Sequence, residues 1–147
     1  MIANERQYRI TRGQLDQLKA ALSAFDRKEA VERTRSRVLA KAEYAALESQ
    51  VAELAEEVGE YEALKSGAVD NLKAESLEEL PTILIKARIA RGLSQRDLAE
   101  KLGLKEQQVQ RYEADRYASA SLRRIAEVAK ALDLAISENA ELLAHVS

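Results

Sequence analysis

The stretch Gly92-Leu93-Ser94-Gln95-Arg96-Asp97-Leu98-Ala99-Glu100-Lys101-Leu102-Gly103-Leu104 decides the fold, because it reads as turn, helix, turn. Gly92 ends one helix, and Gly103 permits the sharp turn after the next, since glycine enters left-handed backbone at no steric cost. Ser94 is placed to cap the helix between them, with Asp97 three residues on in a near-capping-box arrangement. Leu98, Ala99 and Leu102 form its buried face, and Ala99 is small enough to let the following helix cross closely. Leu104 plugs the corner. Lys105 to Asp115 reads as the second helix, with Val109 and Tyr112 inward and Glu106, Gln107, Gln110 and Arg111 outward. Leu122, Ile125, Ala126, Ala129 and Leu132 then make the apolar stripe of a closing helix.

Upstream, Ser76-Leu77-Glu78-Glu79 fits a capping box and Pro81 suits a first helical turn, where its missing amide costs little. Ser66, Gly67, Asp70 and Asn71 are turn formers, so residues 67–80 read as a linker with a short helical turn. Earlier still, Thr11 is placed to cap a helix burying Leu15, Leu18, Leu22 and Phe25, and a break is expected near Asp26. From about Lys28 to Lys65 no proline or helix-ending cluster interrupts the chain, so one helix of roughly 38 residues, ~57 Å long, is predicted. Within it Tyr44, Leu47, Val51, Leu54, Val58 and Tyr61 alternate at spacings of 3 and 4, an a/d seam. Such a helix cannot bury its seam alone. An intramolecular hairpin or a homodimerising coiled coil would satisfy it, and the two can coexist. The expected class is all-α: a helical hairpin or coiled coil over 1–66, the linker 67–80, and over 81–147 a compact helix-turn-helix domain with a C-terminal helix.

Composition agrees with an all-helical chain. The 147 residues include 26 alanines, five glycines and one proline, with 4% aromatics. Absence of cysteine removes disulfides, thiolate zinc sites and thiol nucleophiles, and the single histidine, His145, leaves no catalytic triad or multi-histidine metal site. No glycine-rich phosphate loop or paired metal-ligand motif is present, so neither an enzyme nor a cofactor or metal is expected. Glu5, Arg6, Arg9 and Arg12 interrupt the start of the chain, and no window approaches the roughly 18 apolar residues of a membrane helix. A cytoplasmic protein without a membrane partner is expected. Charge is segregated. Residues 1–85 carry a net −4, residues 86–124 a net +5 and residues 125–147 a net −3. Within the first block a basic run from Arg27 to Lys41 precedes an acidic one from Glu43 to Glu62. A locally basic module thus sits between acidic flanks, and the acidic total does not exclude nucleic-acid binding, because affinity depends on charge within about a Debye length of the phosphates.

Residues 82–134 resemble the lambda-repressor-like helix-turn-helix of the Xre/Cro family of phage-type repressors. Leu93-Ser94-Gln95-x-x-Leu98-Ala99, Gly103, Val109, Glu113 and Ile125-Ala126 all fall in register. The resemblance implies a partly buried ion pair between Arg88 and Glu113, and a recognition helix in the DNA major groove with Glu106, Gln107 and Arg111 at base-reading positions. The chemistry suits those roles. Glutamine can donate to and accept from adenine, arginine can fork onto guanine, and glutamate can accept from cytosine N4. Lys105, Gln110 and Arg116 read as phosphate or secondary contacts, and Gln95 resembles a residue that binds phosphate and steadies the recognition helix. Two departures stand out. Asp115 replaces the glycine that commonly ends the recognition helix, and Tyr117 stands about where a proline commonly precedes the last helix.

One such module covers half an operator, so a homodimer on double-stranded operator DNA is expected. The dimer surface is either the N-terminal hairpin or the last helix with Ile136, Leu142 and Leu143. Small proteins of this organisation look like antitoxins of toxin–antitoxin operons, especially the HigA type, which repress their own operon and neutralise a ribonuclease toxin. The acidic run Glu43 to Glu62 offers a face for such a basic partner. The competing reading is a stand-alone phage or host repressor whose N-terminal region only dimerises. A non-DNA-binding adaptor is a third, against which the outward set Gln107, Gln110 and Arg111 argues.

Overall fold

The computed structural model describes residues 1–145. Among them are seven α-helices, one 3-10 turn and no strand: α1 (Glu5–Ser23), α2 (Arg27–Thr34), α3 (Arg37–Lys65), the 3-10 turn Leu77–Glu79, α4 (Leu80–Ala90), α5 (Gln95–Leu102), α6 (Glu106–Ala114) and α7 (Leu122–Ala131). The chain is all-α, a helical hairpin followed by a helix-turn-helix.

α1 lies antiparallel to α3. Tyr8 stacks on Tyr61 at one end, with ring centroids 5.0 Å apart, and Phe25 meets Tyr44 toward the other at 5.4 Å. The seam faces this contact: Val58 and Tyr61 are buried, and Tyr44, Leu47, Val51 and Leu54 are half-buried. Polar bonds line the hairpin. Glu62 accepts from the Tyr8 hydroxyl at 2.6 Å and from Arg12 at 2.8 Å.

Three boundaries differ from those read in the sequence. Asn4, not Thr11, caps α1, its side chain accepting from the Gln7 amide at 2.9 Å, and Thr11 lies inside the helix. The single 38-residue helix is instead α2 and α3. Arg35 takes a left-handed φ of 53°, and Ser36 restarts the helix by accepting from the Leu39 amide at 3.2 Å. Thr34 and Ser36 hydroxyls supply the backbone with local partners that compete with a continuous helix, and Thr34 Oγ1 donates to the Ala30 carbonyl at 2.7 Å. The break folds α2 onto the start of α3, where Ala30 and Ala40 are buried and Arg33 grips Glu43 through two hydrogen bonds of 3.1 and 2.6 Å. α3 keeps 29 residues. Third, Ser76 makes no side-chain capping bond, and the Glu79 carboxylate accepts from the Glu75 amide at 2.7 Å instead. The segment becomes a 3-10 turn leading into α4, with Pro81 in the first helical turn.

The apolar core runs across the linker. Ile2, Leu15, Val58, Tyr61 and Leu64 from the hairpin belong to the same cluster as Leu84, Ile85, Leu98, Val109, Val128 and Leu132. Each large aliphatic side chain so buried contributes about 1.5–3 kcal/mol, so the helix-turn-helix draws part of its stability from α3. α7 buries Val128 and Ala129, with Leu132 buried just past its end and Ile125 half-buried, whereas Leu122 and Ala126 are exposed. Val128 turns the stripe around the helix, away from the side carrying those two residues, which the sequence reading included. Arg91 closes the domain by donating to the carbonyls of Leu132 and Asp133 at 2.9 and 2.8 Å, satisfying the end of α7. Residues 134–145 form no helix, so Ile136, Leu142 and Leu143 are not on a last helix; all three are exposed.

Candidate nucleic-acid interface

Short helices need explicit punctuation, and α5 has it. Ser94 Oγ accepts from the Asp97 amide at 3.1 Å, while Asp97 Oδ2 accepts from the Ser94 amide at 2.8 Å. The Ser94 hydroxyl also donates to Asp97 Oδ2 at 2.6 Å, and this bond, followed by the one from the Ser94 amide, holds the Asp97 carboxyl below the usual carboxylate range. Gly92 takes a φ of 68° and lets the Leu93 amide return to the Arg88 carbonyl at 3.1 Å, ending α4. Gly103, at φ 66°, does the same between α5 and α6, with the Leu104 amide on the Ala99 carbonyl at 2.8 Å.

α6 is fixed from beneath by a buried ion pair. Arg88 Nε and Nη2 donate to the two carboxylate oxygens of Glu113 at 2.5 and 2.8 Å, and the two side chains are 3% and 2% exposed. Arg88 also donates to the Leu93 carbonyl at 2.8 Å and to the Ala3 carbonyl at 2.5 Å. The pair thus joins α4, the turn before α5, α6 and the first residues of the chain. Gln95 is drawn into it: Nε2 donates to Glu113 Oε2 at 2.7 Å, so this half-buried side chain braces α5 against α6.

The remaining sequence-predicted residues sort by their engagement. Gln107 and Arg111, four apart on one face of α6, are exposed, and among the described residues neither side chain has a hydrogen-bond partner. Glu106 and Gln110 form the adjacent row and bond each other at 3.1 Å. Lys105 caps α6 and is exposed; its amide is accepted by Gln108 Oε1 at 3.1 Å. Arg116 lies past the helix end, its Nη1 donating to Thr82 Oγ1 at 3.4 Å. Asp115, in the place of the usual glycine, has a φ of -93°, and left-handed backbone falls on the next two residues, Arg116 and Tyr117 (φ 53° and 58°). Tyr117 is buried and stacks on Tyr112 with centroids 5.7 Å apart; burial raises its hydroxyl pKa. That stack, with the Tyr117 amide on the Tyr112 carbonyl at 2.6 Å, holds a turn which ordinary side chains adopt reluctantly.

One part of this surface has no local sequence signal. The first ten residues, fixed by Arg88 on the Ala3 carbonyl, run beside α6 and form one wall of an open groove whose other wall holds Gln95, Gln110 and Arg116. Only long-range packing brings Arg6 and Arg9 there.

Among the described residues no group of acidic or histidine side chains could hold a metal ion, and no helix is long and apolar enough to cross a membrane. The helix-turn-helix family model HTH_3 matches residues 84–139. This segment is a helix-turn-helix domain of the Xre/lambda-repressor type, which supports a DNA-binding transcriptional regulator. No curated protein and no solved structure matches the chain.

Proposed function

We propose that this helix-turn-helix chain is a sequence-specific regulator that binds double-stranded operator DNA as a homodimer and represses its own operon. The observation that carries it is the state of α6: Gln107 and Arg111 are exposed and unengaged on a helix that the buried Arg88–Glu113 pair locks in place. A rigid helix presenting one amide and one guanidinium has the geometry to read base edges in a major groove. Glu106 and Lys105 flank them at the helix start. Gln110 and Arg116 serve as secondary or phosphate contacts, and Gln95 acts mainly by steadying α6.

The test is binding of the full chain to a duplex from its own upstream region and to a scrambled duplex, at two salt concentrations. Wild type prefers the native duplex, and Gln107→Ala/Arg111→Ala loses the preference. Binding weakens by orders of magnitude between about 50 and 200 mM salt as phosphate counterions compete. Equal weak binding to both duplexes by wild type would remove the reading.

An antitoxin role of the HigA type is favoured by one further observation. Among the acidic residues of α3, Glu43, Glu57, Glu60 and Glu62 are engaged within the chain. Glu48, Glu53 and Glu56 are exposed and have no ion-pair partner among the described residues. They offer a face to a basic ribonuclease toxin. Co-purification with the product of the neighbouring reading frame, abolished by reversing these three charges to lysine, supports it. Absence of such a partner leaves the stand-alone repressor.

A further inference from the structure

The start of the chain is held against the helix-turn-helix. Ile2 is 3% exposed, the Ala3 carbonyl accepts from Arg88, and Asn4 caps α1. The arginine that locks α6 therefore also holds the segment that leads into α1. The N-terminal half of α1 is held alongside the flank of α6 and the start of α5, with an open groove between them.

The groove is basic once internal pairings are counted. Arg6 and Arg9 line one wall and Arg116 the other. Among the described residues neither Arg6 nor Arg9 has a carboxylate within ion-pair distance, and both are exposed. The carboxylates nearby are largely spoken for. Glu113 is neutralised by Arg88, and Glu5 accepts from the Tyr61 hydroxyl at 3.2 Å and from Lys65 at 3.4 Å. Glu106 is the one acidic wall residue there without a cationic partner among the described residues. Of the other hairpin arginines, Arg12 and Arg33 are paired with acids, whereas Arg27, Arg35 and Arg37 have no ion-pair partner among the described residues.

We infer that α1 is part of the DNA-binding surface. Arg6 and Arg9, three apart on one helix face and so about 5–6 Å apart at Cβ, contact phosphates of the DNA strand bordering the groove that α6 reads. The occupant is a phosphodiester backbone. Guanidinium groups on exposed stems suit it, and the opposite wall is formed by the proposed reading helix. The inference rests on the DNA-binding reading and adds contacts outside residues 84–139, the segment that matches the helix-turn-helix family.

The experiment measures binding of full-length variants to the native and scrambled duplexes between 50 and 200 mM salt. Arg6→Ala/Arg9→Ala is expected to weaken both duplexes by a similar factor, because phosphate contacts carry no sequence information. The slope of log affinity against log salt becomes shallower by about 1.8, so the wild-type advantage shrinks roughly tenfold across that range. Alanine preserves the helix. Arg6→Lys/Arg9→Lys keeps the charge and the slope. Arg27→Ala/Lys28→Ala, on α2 at the far end of the hairpin, leaves both unchanged. A wild-type slope and affinity in the double alanine variant would overturn the inference while leaving α6 as the reader. So would tighter binding, which would make α1 a cover over the site. Failure of wild type to bind either duplex would remove the DNA-binding reading and this inference with it.

Discussion

Arg12 and Arg88 each grip a glutamate across a helix pair, in opposite surroundings. Arg12 and Glu62, joining α1 to α3, are each 47% exposed, whereas Arg88 and Glu113, joining α4 to α6, are 3% and 2% exposed. The hairpin is held by a long apolar seam with polar bonds at its rim. The helix-turn-helix combines small helices with one buried ion pair whose every oxygen is hydrogen-bonded. A surface held the first way tolerates substitution residue by residue. A helix held the second way has a single orientation, which is what reading a base sequence requires.

The largest expected contrast lies in those two arginines. Arg88→Ala leaves the Glu113 carboxylate buried without its cation and should cost about 3–5 kcal/mol. Arg12→Ala removes an exposed pair and should cost at most about 1 kcal/mol. Urea denaturation measures both, and equal losses would break the comparison. Next comes Leu64→Ala, expected to cost about 2–5 kcal/mol. Because Leu64 belongs to a core shared by both regions, unfolding followed by tyrosine fluorescence and by helical circular dichroism should shift as one transition. Two separate transitions would show that the regions fold independently. Ser94→Ala, which removes a capping bond, should cost about 1 kcal/mol. Thr11→Ala should be neutral or slightly stabilising, alanine being the better helix interior residue.

The smallest effects are in pH dependence. Asp97 has its folded pKa held below its ordinary value of 3.8, first by the Ser94 hydroxyl and then by the Ser94 amide. Its contribution is present above the unfolded pKa and is lost as pH falls through the lower folded value. Asp97→Asn should flatten the acid limb of a stability–pH profile. Tyr117 behaves in the opposite sense. Burial raises its pKa above the ordinary 10.0, so its contribution is intact below pH 10 and is lost as pH rises through the folded value. Tyr117→Phe should flatten the alkaline limb.

The two regions also differed in how far they could be read from the sequence. Ser94, Gly92 and Gly103 declare the turns around α5 because a capping hydroxyl and two left-handed positions each demand a narrow set of residues. The seam of α3 was equally legible, since periodicity specifies which face is buried. Periodicity does not specify where a helix stops. Asn4 and Ser36 compete with other potential caps, and the choice falls to packing, such as Ala30 against Ala40. At the interface, the outward row of α6 follows from helical spacing. Gln95 on Glu113, Arg116 on Thr82 and the placement of Arg6 and Arg9 depend on contacts between distant segments, which no local pattern encodes.

The most direct test of the central claim is selection from a random duplex pool by the full-length protein. Enrichment of one motif is expected, arranged as two related half-sites about one DNA turn apart. Gln107→Ala/Arg111→Ala should lose the base preference while retaining salt-sensitive binding. A wild-type protein that enriches no motif would contradict the claim that α6 reads DNA.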